Sequence, residues 1–277
     1  MGVILGLLVA ASFGSGDFLG GLASRRAKTL AVLAVAQVAA LALAIIVACA
    51  VGGGLDANDF LYGIAAGALN VVAIGCLYRG LAMGQMGRVA PIAAVIGAVL
   101  PVVWGLVRGE TLSPAEVVGI ALAVMAGGLL SIEPGAVRTS APGSALLLAV
   151  AAGVGFGVSL ILFAAASHHG GMWPALGARG AACALVWIAL VVRHQERSLS
   201  DVPKVEASLA GVLDVGATMI LLVTLKTNLT AVIAPVASLA PGFTAAHAWW
   251  YLHERISRVQ LVGLLLALVG LALIALG

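Results

Sequence analysis

Gly109-Glu110-Thr111-Leu112-Ser113, followed by an apolar run over residues 117–130, is written a second time near the C-terminus. There it reads His253-Glu254-Arg255-Ile256-Ser257, followed by an apolar run over residues 261–276. An offset of 144 residues superposes the two without a gap, placing Pro91 on Pro235, Glu110 on Glu254, Ser113 on Ser257, Gly119 on Gly263 and Ala123 on Ala267. Ten of the 45 pairs between residues 88–132 and 232–276 are identical, and they include charged, Pro and Gly positions that a mostly apolar alphabet does not match by itself. A chain that repeats at this period is built from copies of one structural unit.

The chain around this stretch is 62% hydrophobic and only 9% charged, against about 25% charged in a soluble domain. Water could not hold so many apolar side chains, and the class is a polytopic membrane protein. The net charge of +3 is spread over loops and points to no nucleic-acid partner. Cys49, Cys76 and Cys183 stand singly in apolar runs, and His168-His169 has no carboxylate or thiol near it, so neither a disulfide framework nor a metal site is expected. The N-terminus has no Lys or Arg before its first apolar run and is expected to be a membrane helix rather than a secretory signal.

Ten apolar segments, each near the roughly 20 residues a bilayer requires, cover residues 2–22, 29–51, 60–82, 89–107, 115–132, 144–166, 172–192, 205–225, 229–252 and 259–276. A polar connector from Glu133 to Pro142 divides them into two sets of five, giving repeats over residues 1–137 and 138–277. With the N-terminus outside, the cytoplasmic loops hold Arg25, Arg26, Lys28, Arg79, Arg88, Arg138, Arg193, Arg197, Lys204, Arg255 and Arg258. The other side holds Arg108 and Lys226 alone. That asymmetry predicts both termini outside the cytoplasm. Five helices is an odd number, so the second copy is expected to insert upside down relative to the first. The predicted fold is all-α: ten transmembrane helices as two inverted five-helix repeats, a recurring construction of secondary transporters with the substrate site near midplane.

The pattern Pro91…Gly109-Glu110-Thr111-Leu112-Ser113…Gly119, repeated as Pro235…Glu254-Arg255-Ile256-Ser257…Gly263, resembles the EamA domain of the drug/metabolite transporter superfamily in two tandem copies covering the whole chain. The second copy is the closer match, since the first has Glu-Thr where Glu-Arg is usual. The resemblance implies a bacterial inner-membrane carrier and leaves the cargo open among amino acids, sugars, nucleotide precursors and drugs.

Charges inside a membrane are costly, about 2.5 kcal/mol or more at a helix centre, and normally face a partner or a cavity. Asp17, Arg179, Asp214 and His247 all fall inside predicted spans. Asp214 is the leading candidate: it sits about eight residues into its span, and Gly211, Asp214 and Thr218 share one helix face through i, i+3, i+7 spacing. The repeat offset sets Asn70 opposite Asp214 and Gly67 opposite Gly211. The competing reading of Asp214 is an interhelical hydrogen bond that only holds the bundle. Arg179 either snorkels to the interface or neutralises a carboxylate or anionic group. Asp17 either binds or makes a rim ion pair with Arg25 or Arg26. His247 precedes Trp249-Trp250-Tyr251, an interfacial aromatic belt, where a simple boundary hydrogen bond competes with a site role. Pro91, Pro101, Pro235 and Pro241 fall in the fourth and ninth spans as kinks suited to gating.

One enzymatic alternative rests on Gly14-Ser15-Gly16-Asp17 and Pro174-Ala175-Leu176, which match short patterns of intramembrane aspartyl proteases. Those enzymes need a second carboxylate sharing a proton, supplied by the preceding helix, and here nothing precedes the first. No phosphate-binding Gly-x-x-x-x-Gly-Lys-Ser/Thr occurs, so ATP is not the expected energy source. The expectation is therefore a carrier, not an enzyme, without cofactor. It would move a small amino-acid-like metabolite by alternating access, with export preferred over uptake or drug efflux, plausible proton coupling, and a monomeric or homodimeric state in the lipid bilayer.

Overall fold

Eleven helices and no strand make up the described residues of the computed structural model, which are 2–52, 54–82, 86–132, 143–166, 171–193, 199–253 and 257–276. The connector 133–142, His168-His169, Arg197 and the second copy's Glu254-Arg255-Ile256 lie outside them. The first half comprises α1 (Gly2–Ser24), α2 (Thr29–Val51), α3 (Ala57–Ala82), α4 (Met86–Val107) and α5 (Pro114–Leu130). The second comprises α6 (Gly143–Ala165), α7 (Trp173–Val192), α8 (Lys204–Thr227), α9 (Thr230–Ala237), α10 (Ala240–Leu252) and α11 (Arg258–Leu276). Among the described residues nine spans are long and apolar enough to cross a membrane, α9 and α10 together forming one of them. The apolar α5 is shorter, 17 residues, or roughly 26 Å at 1.5 Å per residue. Outward-turned side chains such as Ile4, Ile46, Val72, Leu147, Val192 and Leu265 are largely exposed, as a face toward lipid requires.

Each residue of the repeated stretch has a local reason to be where it is. Gly109 adopts φ +89, a left-handed conformation that favours glycine. Its N–H reaches the Leu106 carbonyl at 3.0 Å and the Glu110 N–H the Gly105 carbonyl at 2.9 Å, the paired bonds that close a helix C-terminus. Ser113 then caps α5: its hydroxyl accepts from the Glu116 N–H at 3.1 Å, while the Glu116 carboxylate accepts from the Ser113 N–H at 2.7 Å. Pro114 follows in the first turn, where a missing N–H costs nothing. The second copy repeats the device with a neutral partner: Ser257 and Gln260 exchange bonds of 3.0 and 3.2 Å. The position equivalent to Gly109 is His253, again at positive φ, 56.

Packing runs mainly between the two halves. Helix α1 lies on α8 as α6 lies on α3, α2 lies on α8 as α7 lies on α3, and α5 lies on α11. With little hydrophobic drive between helices in lipid, close approach depends on small residues. Gly211 of α8 meets the backbone of Ala36 on α2, and Gly67 of α3 meets the backbone of Ala178 on α7. A Cβ at Gly119 would stand 2.7 Å from the Gly270 carbonyl oxygen, so α5 and α11 touch backbone to backbone. Gly119 lies beside Ile274 while Ala126 lies beside Gly263, so these two helices are antiparallel. α1 and α8 are antiparallel too, with Gly2 beside Asn228 and Gly20 beside Ala210.

The ninth span is not one kinked helix. It stops at Ala237 and restarts at Ala240, with Ser238 and Leu239 between. Pro235 is inside α9, whereas Pro241 is in the first turn of α10 and so begins a helix rather than bending one. The Ser238 hydroxyl donates to the Pro235 carbonyl at 2.7 Å, satisfying backbone at the break. In the repeat-related α4, Pro91 and Pro101 both lie inside a helix that continues without interruption.

Candidate functional site

Two polar centres interrupt the apolar bundle. The first joins α7 and α8 with Asp17 of α1 beside them, and a separate bond ties α1 to α10. Arg179 of α7 is 7% exposed, too deep to snorkel. Its Nη1 donates to the Asp214 carboxylate, and its Nη2 donates to the Thr218 hydroxyl at 2.8 Å. Thr218 in turn donates to the Asp214 carbonyl one turn earlier, at 3.0 Å. The i, i+4 face of α8 thus presents a hydroxyl and a carboxylate to one guanidinium, which orders all three groups. The Asp214 side chain keeps 37% of its surface exposed, against 8% for Arg179, so the pair is covered on the arginine side and open on the carboxylate side.

Asp17 of α1 faces the same place. Gly16 packs against α8, where a Cβ would lie 3.2 Å from the Ala210 carbonyl and 3.6 Å from the Asp214 nitrogen. Asp17 is one residue on, exposed, and within electrostatic reach of the Asp214 carboxylate. It lies on the stripe of Phe13 and Gly20 (i−4, i+3), residues that pack on the core and on α8, so it is on the protein side of α1 rather than the lipid side. The rim ion pair with Arg26 is not formed, because Arg26 bonds Glu206 at 3.4 Å. One residue before Gly16, the Ser15 hydroxyl is 2.8 Å from Nε2 of His247 on α10, in a hydrogen bond between part-buried groups. Phe18 packs on the same helix, its ring centroid 5.5 Å from His247 and 5.8 Å from Tyr251. Trp249 and Trp250, packed edge to face, are exposed as an interfacial belt requires. Asn70 is half-buried on α3, which packs on α6 and α7, and it joins none of these bonds.

The second centre is at the other end of the broken span. The N-cap of α9 is Leu229, whose side chain cannot accept a hydrogen bond. Glu110, from the other half of the chain, does so instead: Oε1 accepts from the Thr230 N–H at 2.9 Å and Oε2 from the Ala231 N–H at 2.8 Å. A carboxylate on two free N–H groups at a helix N-terminus satisfies orphan donors and meets the positive end of the helix dipole. Gly105 leaves the space: a Cβ there would lie 2.7 Å from the Glu110 carboxyl carbon. All eight residues of α9 are buried, and none of α10 is.

Sequence reasoning marked Glu110 only as a repeated residue and assigned it no partner; the two free N–H groups are 120 and 121 residues away. Ser15 and Phe18 were also missed. The Ser113-x-x-Glu116 cap, in contrast, was readable from its spacing. Among the described residues no group of His, Cys, Asp and Glu could hold a metal ion.

The profile of the EamA-like transporter family matches residues 1–132 and 143–276. A solved structure titled "Crystal structure of protein" is similar over 99% of this chain and 96% of its own, with 18% identity and a TM-score of 0.81. At that identity the likeness shows the fold. No curated protein matches the chain.

Proposed function

The chain belongs to the EamA-like transporter family, a multi-pass membrane protein of the drug/metabolite transporter superfamily, and from that premise we propose that it is a secondary carrier moving a small solute by alternating access. In this reading ten helices form two inverted five-helix repeats, and both termini face away from the cytoplasm of a cell inner membrane. The antiparallel packing of the repeat-related α5 and α11 supports the inversion. The observation that carries the proposal is the contrast within the ninth span: α9 is wholly buried and tied by Glu110, while α10 is only half-buried and lies mainly on α1, bonded there through His247 to Ser15. A span locked into the bundle in its first half and less covered in its second, in a chain whose Asp214 carboxylate stays open, suits one state of an alternating carrier.

Asp214 is the binding or coupling carboxylate, Arg179 and Thr218 hold its geometry, and Asn70 is its uncharged counterpart in the other repeat. A group that exchanges partners between open and sealed states can couple a proton or a cargo to the transition. The protease alternative is weakened by the same bonds: an aspartic dyad shares one proton between its carboxylates, whereas a guanidinium engages Asp214.

Counterflow in proteoliposomes tests the reading. Asp214→Asn keeps size and an acceptor oxygen, so the purified variant should fold and lose counterflow; full activity in that variant would remove Asp214 from the mechanism. Reporter fusions after Gly277 should be active with a periplasmic reporter and silent with a cytoplasmic one, and the reverse would overturn the orientation.

A further inference from the structure

The corner where α1 ends and α2 and α8 begin holds positive charge that the described residues around it do not balance. α2 and α8 run parallel, with Ala36 against Gly211 and with Ala31 and Val32 in one apolar cluster with Ala207, so they start at the same edge of the bundle. α7 ends at that edge, since Leu190 shares a cluster with Leu30 and Leu33 of α2. The edge therefore collects Arg25, Arg26 and Lys28 from the α1–α2 turn, Arg193 from the end of α7 and Lys204 from the start of α8. Against these five bases stand two acids, Asp201 and Glu206. The excess equals the +3 of the whole chain. Pairing inside the corner, such as the 3.4 Å contact of Arg26 with Glu206, cannot cancel it.

These groups surround a space. A cavity of about 380 Å³ lies between the α1–α2 turn and the segment before α8, lined by Ser24, Arg25, Arg26 and Lys28 and by one carboxylate, Asp201. That volume falls within the roughly 300–1,000 Å³ of small-ligand clefts. Ala23 and Val202 are buried in the same cluster as Ala31 and Ala207, which fixes the turn and the segment against each other. One turn before Arg25, Gly21 is exposed with nothing within 4 Å of where a Cβ would stand, so the approach along α1 is open.

The corner also lies at a membrane boundary. α1, α2 and α8 are all long and apolar enough to cross a bilayer, and each begins or ends here. Just past Lys204, Val205 and Leu209 are 69% and 47% exposed, a face suited to acyl chains and not to water. Arg and Lys at this level of a bilayer meet lipid phosphates, which they bind by charge-assisted hydrogen bonds.

We propose that the corner binds the headgroup of an anionic phospholipid, its phosphodiester held in the cavity by Arg25 and Lys28 and its acyl chains along the exposed face of α8. That apolar face favours a lipid over a soluble phosphate, which would use the cavity alone. A zwitterionic lipid would bring its own cation against the same basic groups, an unfavourable contact. The inference goes beyond the carrier reading and does not depend on which side of the membrane the corner faces.

Full-length protein in a neutral detergent, titrated with dioctanoyl phosphatidylglycerol or dioctanoyl phosphatidylcholine and read by native mass spectrometry, tests this with two lipids of equal chains. Phosphatidylglycerol should bind saturably and at least about tenfold more tightly. Arg25→Gln with Lys28→Gln should weaken it about thirtyfold, the effect of two basic groups at a lipid surface. Arg25→Lys with Lys28→Arg keeps the charge and should retain most of the affinity, which separates binding from folding. Arg108→Gln with Lys226→Gln removes as much charge from the opposite end of the bundle and should change nothing. Equal binding of the two lipids, indifference to the Arg25 and Lys28 pair, loss in the charge-preserving variant, or an equal loss in the Arg108 and Lys226 variant would each overturn the proposal. Glycerol 3-phosphate competing as tightly as the lipid would make this a soluble-phosphate site and overturn the lipid assignment. Protein in detergent has no sidedness and carries nothing across, so failure here leaves the carrier reading and the orientation to counterflow and the reporter fusions.

Discussion

The two halves of the ninth span come from one continuous stretch, yet α9 is buried at every residue and α10 at none. α9 is free of aromatic residues while α10 ends in Trp249-Trp250-Tyr251, and their partners differ as well. α9 is gripped at its N-terminus by Glu110 and lies against α4 and α1, whereas α10 lies mainly on α1, with His247 and Tyr251 against Phe18. The break at Ser238-Leu239 divides the span into two separate helices, each held by its own partners. A carrier needs this independence, because one end of the path must open while the other stays shut.

Breaking the shut end should have the largest effect. Glu110→Ala removes a carboxylate from two helix N–H groups, worth about 2 kcal/mol or a roughly 30-fold shift between sealed and open populations. Thr230→Cys, at a site now 8% exposed, should then label with an impermeant maleimide many times faster than in the Glu110-containing parent. Unchanged labelling would mean that α9 is sealed by packing alone.

A change on the open side should spare that seal. Gly211 carries α8 against the Ala36 backbone, and an added Cβ has no flexible neighbour to displace. Gly211→Ala should lower stability by about 1–2 kcal/mol, overpacking being only partly offset by better helix propensity. It would be read as a fall in melting temperature, while Thr230→Cys labelling stays slow. If labelling rises as well, the two ends are not independent.

The smallest effects are expected at the two caps, which repeat one device with different charge. Glu116→Ala should cost about 1 kcal/mol, and Gln260→Ala less, because the side chain accepting from the Ser N–H is a carboxylate in the first copy and a neutral amide in the second. Thermal melts of the two variants measure the difference; equal losses would show that the charge adds nothing.

Much of this architecture was legible beforehand. Apolar content far above that of a soluble domain required a membrane, and Pro, Glu, Ser and Gly recurring at one offset required two copies. The Ser113 and Ser257 caps show why such residues recur: each answers a local backbone need that arises wherever the same turn is built. The site was legible in part. Asp17, Arg179, Asp214, Thr218 and His247 stood out because polar groups in apolar spans need a reason. The structure bonds Arg179 to Asp214 and Thr218 near Asp17, bonds His247 separately to Ser15, and gives Asn70 no part in these bonds.

The sequence by itself determined the membrane class, the duplicated unit and the residues that must find partners. Tertiary structure alone decided who the partners are: Arg179 with Asp214 and Thr218, Ser15 with His247, Glu110 with the start of α9. The physical reason is that helices apolar on nearly every side carry little periodic mark of which face turns inward. Helix rotation is set by where small residues let backbones approach, as at Gly16, Gly67 and Gly211, and those contacts join residues far apart in the chain.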